Sequence, residues 1–315
     1  MNATQVDRLR SVLADNDRAA LTAIAGERAR FDEPLAPYTS WRVGGPADAF
    51  VQLERAAELR DLLIHVRKRK LPWFVLGSGS NLLVGDGGIR GVVVRLGGEF
   101  AAIDARIAGD RVVIEAGASA GMARVTTEGA SLGAIGIDSL AGIPGSVGGS
   151  LRMNAGTDRE LGEFVRAVWV QTPGRPEPHA VSLQYLYRQT TLARDAVVAR
   201  AVLEFERGEP AAVRTAMQRR LVRRKATQPL RWPNSGSCFR NPAGDKAGRL
   251  IEAAGAKGWR AGDAQVSDLH ANFIVNLGAA TAADVAALLA RVRRAVAETA
   301  GVELELEVHF VGIFV

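Results

Sequence analysis

The chain has 315 residues, 47% of them hydrophobic and 23% charged, with 34 glycines and one cysteine, Cys238. That length and apolar content provide for two or three packed units, a single thiol excludes an intramolecular disulfide framework, and four scattered histidines leave no zinc constellation. The net charge of +6 raises the question of a polyanionic partner, but aromatics are only 6% of the chain and do not interleave with the basic cluster "AVRTAMQRRLVRRKATQP" (212–229), so no stacking platform for nucleic acid is expected. A small phosphorylated ligand accounts for such a cluster equally well. The N-terminus is charged throughout and lacks a signal-peptide core, and no stretch approaches the roughly 20 apolar residues of a membrane span. We therefore expect a cytoplasmic protein with no membrane, metal or nucleic-acid partner.

In chain order, residues 1–30 read as helix and lead into a polar, proline-containing entry, "FDEPLAPYTSWRVGGPADAF". Short β-branched runs separated by glycine turns follow: "PWFVLG", "GVVVRL", "RVVIEAGA", "FVRAVWVQT" and "AVVARAVLEFE". This spacing predicts strands with helices between them. From about residue 210 the texture changes to long helical patterns. Val285, Leu288, Leu289, Val292 and Val296 recur at helical spacing behind a Thr281 cap with Asp284 three residues later, which predicts an amphipathic helix over 282–299. In "LELEVHF", Leu304, Leu306, Val308 and Phe310 alternate with Glu305, Glu307 and His309, the pattern of a strand with one buried face.

Two glycine-rich segments carry the chemical signal. "LGSGSN" (76–81) follows a strand and offers successive backbone N–H groups, on Gly77, Ser78, Gly79, Ser80 and Asn81, that can curl around an anion. "GIPGSVGGSLRMNAG" (142–156) places Gly142, Ile143, Pro144, Gly145, Ser146, Gly148, Gly149, Asn154, Ala155 and Gly156 where bare backbone could lie against a planar group such as a flavin. Either segment alone could be a plain turn. No G-x-G-x-x-G occurs, so the usual dinucleotide-fold fingerprint is absent. "GASAG" (117–121) matches the nucleophile-elbow pattern around Ser119, which a glycine-rich chain also produces by chance.

These segments occur in order with "TSWRVGGPAD" (39–48), "YR" (187–188), "NSGSCFRNP" (234–242), "AGRLIEAAGAKGWRAGDAQVSDLHANFIVN" (247–276) and "LELEVHFVG" (304–312). Together they resemble the UDP-N-acetylenolpyruvoylglucosamine reductases, flavoenzymes of bacterial peptidoglycan precursor synthesis, from residue 39 to the end. The resemblance implies an α+β fold of the vanillyl-alcohol-oxidase type. Two FAD-binding units (1–85 with the N-terminal helix, and 86–210) would be followed by a substrate-binding unit (211–305) and a C-terminal strand (306–315) returning to the FAD region. It also implies bound FAD wrapped by the two glycine segments, NADPH as hydride donor, and the small-molecule substrate UDP-N-acetylglucosamine enolpyruvate, handled by a monomer.

By the same resemblance Arg188 stabilises the enolate formed when hydride reaches the terminal methylene carbon, Glu307 supports it, and Ser237 donates the final proton. Tyr187, Lys225, Asn241 and His270 would contact substrate. His270 replaces a glutamine of some relatives, and the long tyrosine-bearing loop that others carry after "YR" is missing, which points to the short-loop subgroup. If "SCF" (237–239) is extended, Phe239 shares the serine's side and walls the pocket, while Cys238 faces the core. A different flavin oxidase on the same fold, a Ser119 hydrolase and a nucleic-acid-binding protein are the alternatives.

Overall fold

Helix α1 (Asp15–Ala25) opens the part of the chain that the computed structural model describes, residues 11–315. It is shorter than the helix expected over 1–30, whose first ten residues lie outside the described ones. Gly26 takes a left-handed conformation at φ +60°, and by Ala29 the backbone is extended as β1 (Ala29–Pro34). Half-buried and exposed residues alternate along "ARFDEP", a period of two that a helix could not use. Part of the polar entry is thus a strand, antiparallel to β2 (Pro46–Leu53).

The first sheet runs β1-β2-β5-β3, with β3 (Trp73–Val75) and β2 both parallel to β5 (Ile89–Leu96), and α2 (Ala56–Arg69) makes the crossover. Between β3 and β5, β4 (Leu82–Val84) leaves this sheet and pairs in parallel with β16 (His309–Val311). The second sheet is antiparallel, β6-β7-β12-β8-β9, built from β6 (Ile103–Ala108), β7 (Arg111–Gly117), β8 (Val165–Thr172), β9 (Arg175–Val181) and β12 (Val197–Glu206). Helices α3 (Met122–Leu132) and α4 (Val147–Arg152) and a short hairpin, β10 (Tyr185–Leu186) with β11 (Gln189–Thr190), accompany it. All five β-branched runs read from the sequence contain strands.

Beyond residue 210 the long helical texture holds for α5 (Pro210–Thr227) and α7 (Ala282–Ala300). Between them lie only the seven-residue α6 (Ala247–Ala253) and a small antiparallel sheet of β13 (Arg260–Ala261), β14 (Ala264–Val266) and β15 (Ile274–Asn276). Helix α7 starts as its sequence dictates: Thr281 Oγ1 accepts from Asp284 N at 3.0 Å, and Asp284 Oδ2 accepts from Thr281 N at 2.9 Å. Its five periodic apolar residues are all buried.

The cores interlock across the expected boundaries. β5 completes the first sheet, so that sheet extends to Leu96, beyond residue 85. Val213 and Met217 of α5 pack into the core of the second sheet, which therefore reaches past 210. Trp41, Val43 and Leu83 join the core under α7, and Trp41 Nε1 donates to the Ile274 carbonyl at 2.7 Å. The stretch "LELEVHF" is a strand only at its end, His309–Val311; before that it is tied to the chain by one bridge, Leu306 to Phe239. Leu304 and Val308 are buried as the alternation predicts, but Phe310 is 40% exposed.

Candidate active site

The two glycine segments meet. The first lies between β3 and β4, where Gly79 adopts φ +61° and a Cβ on it would stand 2.2 Å from the Tyr38 carbonyl oxygen, so no other residue fits. The second is bonded to residues 118–122: Met122 N donates to Gly145 O, Val147 N to Ala120 O and Gly148 N to Ala118 O, at 2.8–3.0 Å. Gly148 and Gly149 lie in the first turn of α4 rather than extending the loop. Ser80 Oγ donates to the Pro144 carbonyl at 3.2 Å, joining the segments directly. Between them runs a cleft lined by Gly77, Ser78, Ser119, Ser146, Gly148 and Gly149.

The cleft wall also holds Arg95 and Arg152, neither of them assigned a role from the sequence. A Cβ on Gly77 or Gly149 would meet only the Ser146 hydroxyl, at 3.2 and 3.6 Å, so bare backbone faces the space. Ser119 Oγ is buried there without a hydrogen-bond partner. An orphaned hydroxyl, glycine backbone and two guanidinium groups together suit an anionic ligand with a flat part. The serine that matched a hydrolase pattern is a wall of this cleft.

A charged cluster lies where the C-terminal segment passes the first glycine loop. Asn81 Nδ2 donates to the Glu307 carbonyl at 2.9 Å, and His309 N donates to Asn81 O at 3.0 Å. The Glu307 side chain accepts from Arg188 Nε at 2.9 Å, with the two side chains 17% and 15% exposed. Burial pushes the Glu307 carboxyl above its ordinary range, and Arg188 pulls part of that shift back. Arg188 sits in the two-residue turn of the β10–β11 hairpin with φ +56°, a conformation a non-glycine residue holds only when its surroundings enforce it. Its guanidinium also donates to the Gly156 carbonyl at 3.0 Å and to Glu160 Oε1 at 3.1 Å, and the Tyr187 ring centroid lies 4.7 Å from its Cζ.

The segment that carries Ser237 runs beside Glu307. Residues 238–240 run antiparallel to 305–307, with Glu307 N donating to Cys238 O at 2.8 Å and Arg240 N to Glu305 O at 2.9 Å. Ser235 Oγ donates to Ser80 O at 2.8 Å, which fixes this segment to the first glycine loop. Ser237 is half-buried, whereas Cys238 is 1% exposed among apolar neighbours and burial pushes its thiol up to about 12. Phe239 is packed with Cys238 instead of being divided from it as strict alternation requires. It is 2% exposed in the same core as Cys238, because its bridge to Leu306 turns both side chains inward.

Other residues read from the sequence are dispersed. Asn154 is 2% exposed; its Nδ2 donates to Glu160 and to the Leu186 carbonyl, and its Oδ1 accepts from Gly162 N, so it supports the arginine's surroundings rather than lining the cleft. Gly156 likewise presents its carbonyl to Arg188. Lys225 lines a separate cavity of about 770 Å³ with Leu230, Trp232 and Leu269. Asn241 Oδ1 accepts from Ala247 N at the start of α6, and His270 packs its ring edge on Phe273 while its Nδ1 accepts from Asn272 N. Of the four expected substrate contacts only Tyr187 lies beside Arg188. Besides Arg95 and Arg152, sequence reading missed Glu160, and "TDREL" contains no pattern that marks it. Among the described residues no group of three or more His, Cys, Asp or Glu side chains could hold a metal ion, and no helix is long and apolar enough to cross a membrane.

Comparison with known proteins decides the family. Residues 47–171 match the FAD binding domain family, and residues 228–311 match the family described as UDP-N-acetylenolpyruvoylglucosamine reductase, C-terminal domain. The chain is 44% identical over 310 residues to UDP-N-acetylenolpyruvoylglucosamine reductase 2 of Symbiobacterium thermophilum, covering 97% of this chain and 96% of that one. It belongs to the UDP-N-acetylenolpyruvoylglucosamine reductase family. The reductase of Moorella thermoacetica is also 44% identical, over 305 residues covering 93% of this chain and 98% of its own. Among solved structures, the UDP-N-acetylenolpyruvylglucosamine reductase of Thermus caldophilus superposes with a TM-score of 0.75 at 37% identity, over 90% of this chain and 97% of that one. The fold is thus an α+β FAD-binding fold with the reductase family's C-terminal domain.

Within that family's FAD-binding domain the cleft between the glycine segments has the donors an FAD requires. Backbone amides of 77–81, Ser146 and Gly149 and the guanidinium of Arg95 suit its pyrophosphate, with Arg152, whose guanidinium is bonded to the Ala193 and Ala196 carbonyls, and the free hydroxyl of Ser119 beside them.

Proposed function

We propose that the protein reduces the enolpyruvyl ether of UDP-N-acetylglucosamine enolpyruvate to UDP-N-acetylmuramate, acting as a monomer in the cytoplasm and supplying peptidoglycan precursors. Bound FAD would supply a two-electron relay, accepting hydride from NADPH and delivering it from N5 to the terminal methylene carbon. An enolate then develops on the neighbouring carbon and its carboxylate. Arg188 places a fixed positive charge against it. Glu307, whose carboxyl is pushed above its ordinary range by burial, supports the enolate beside that arginine. Ser237 Oγ gives its proton to the carbon, and Tyr187, Lys225, Asn241 and His270 hold the nucleotide sugar.

The observation that carries this reading is the Arg188–Glu307 pair at 2.9 Å beside Asn81, because it puts a cation and a buried carboxyl next to the first glycine loop. Its test separates the half-reactions by anaerobic stopped flow. Ser237→Ala is expected to accept electrons from NADPH at the parental rate, yet lose about 10²- to 10⁴-fold in reoxidation by the enolpyruvyl substrate. Parental reoxidation would remove Ser237 from the mechanism.

A further inference from the structure

Arg188 is held by two carboxylates where one would balance its charge. Glu307 takes Nε, Glu160 takes Nη1 and the Gly156 carbonyl takes Nη2, so the guanidinium plane is fixed from three sides. Tyr185 at the base of the hairpin packs against the second sheet's core, but the turn end that carries the arginine has little packing to do this: Leu186 is 62% and Tyr187 47% exposed, and the turn is strained at Arg188. Glu160 is in turn fixed from behind. Asn154 Nδ2 donates to Glu160 Oε2 and also to the Leu186 carbonyl of the hairpin, while Asn154 Oδ1 accepts from Gly162 N at 2.8 Å. One buried asparagine therefore ties the carboxylate, the hairpin and the 160–163 turn together.

We propose that Glu160 is a positioning residue, holding the Arg188 guanidinium in register with Glu307 at the point where the enolate forms. The inference rests on the assignment of Arg188 and Glu307 given above. Both of Glu160's partners are donors, one to each oxygen, so an amide at this position satisfies only one of them. Burial, with the neighbouring Glu163 and Glu307 charges, pushes the Glu160 carboxyl upward against the pull of Arg188, so this arrangement is maintained at an electrostatic cost. A guanidinium released from Glu160 keeps only Glu307 and the Gly156 carbonyl and can shift toward them, and displacement of a reacting group by about 1 Å is enough to cost on the order of 10²-fold in rate.

The test is a double-mutant cycle on the FAD-loaded enzyme, read as the rate of flavin reoxidation by the enolpyruvyl substrate. Glu160→Gln is expected to lose about 10- to 100-fold in that step, with flavin reduction by NADPH unchanged. Introduced into Arg188→Ala it should cost less than about twofold more, because Glu160 acts through the arginine. Equal losses in both backgrounds, or parental reoxidation by Glu160→Gln in an enzyme that Arg188→Ala slows, would overturn the proposal. Parental reoxidation by Arg188→Ala would instead remove the assignment beneath it. If Glu160→Gln loses its flavin, Glu160→Asp, charged but one methylene shorter, is read in the same cycle against the same outcomes.

Discussion

Single residues divide the chemistry between neighbours that look interchangeable in sequence. Acidity alone favours Cys238 over Ser237 as a proton donor, but the fold buries the thiol and leaves the serine half-buried, next in sequence to the residues paired with 305–307. Native protein at pH 8 should therefore leave Cys238 unmodified by a disulfide-exchange reagent, while denatured protein yields one thiol per chain, and Cys238→Ala should keep both half-reactions near parental rates. Rapid titration of the native thiol would contradict that placement. Arg188→Ala should reduce turnover about 10²-fold. It also has a pH signature, because Glu307 binds its proton more tightly folded than unfolded. The stability this confers is complete below the ordinary glutamate range and is lost as pH rises through the raised folded value. Removing the arginine that lowers that value should make the thermal midpoint fall more steeply with rising pH across that window. An unchanged pH dependence in Arg188→Ala would show that the two groups are not coupled.

Elements whose rules are local are legible in the amino-acid sequence itself. The Thr281–Asp284 cap and the five periodic residues of α7 fix that helix almost to the residue, and the β-branched runs all contain strands, because period and capping are written within a dozen positions. What stays hidden depends on residues far apart. The helix expected over 1–30 gives way to β1 because β2 offers it a partner, and the inward turn of Phe239 follows from Leu306, 67 positions later. The glycine segments are legible as a site, yet Asn154 and Gly156 serve the arginine, and Glu160, paired across 28 positions, carries no signal. The first glycine loop allows its own test. Gly79 is left-handed against the Tyr38 carbonyl, so Gly79→Ala should move residues 77–81 and lower the FAD content of purified protein, with the loss partly restored by added FAD. Full flavin content in that variant would show that the loop tolerates the shift and does not set cofactor retention.

At the scale of the whole molecule, the site exists because units distant in sequence are stitched at one place. Ser80 bonds the second glycine segment, Ser235 bonds Ser80, Asn81 bonds the C-terminal segment, and β16 pairs with β4. Asp86 accepts from Ala282 N and Ala283 N, both at 2.9 Å, so the start of α7 is held by the chain just beyond β4. Even the basic cluster of α5 serves this assembly. Arg220 bonds Asp138 and Asp158 at 2.6 Å, and Arg224 lies against Gly142, so its arginines are partly turned to the protein rather than to a polyanion. By the function proposed above, this assembly passes electrons from a nicotinamide donor through bound flavin to an enolpyruvyl ether. An anaerobic titration followed at the flavin absorbance tests it directly: NADPH should bleach the bound FAD, and UDP-N-acetylglucosamine enolpyruvate should restore the oxidised spectrum with one equivalent of UDP-N-acetylmuramate formed. A protein that takes up no FAD, or whose bleached flavin is not reoxidised by that substrate, would contradict the account.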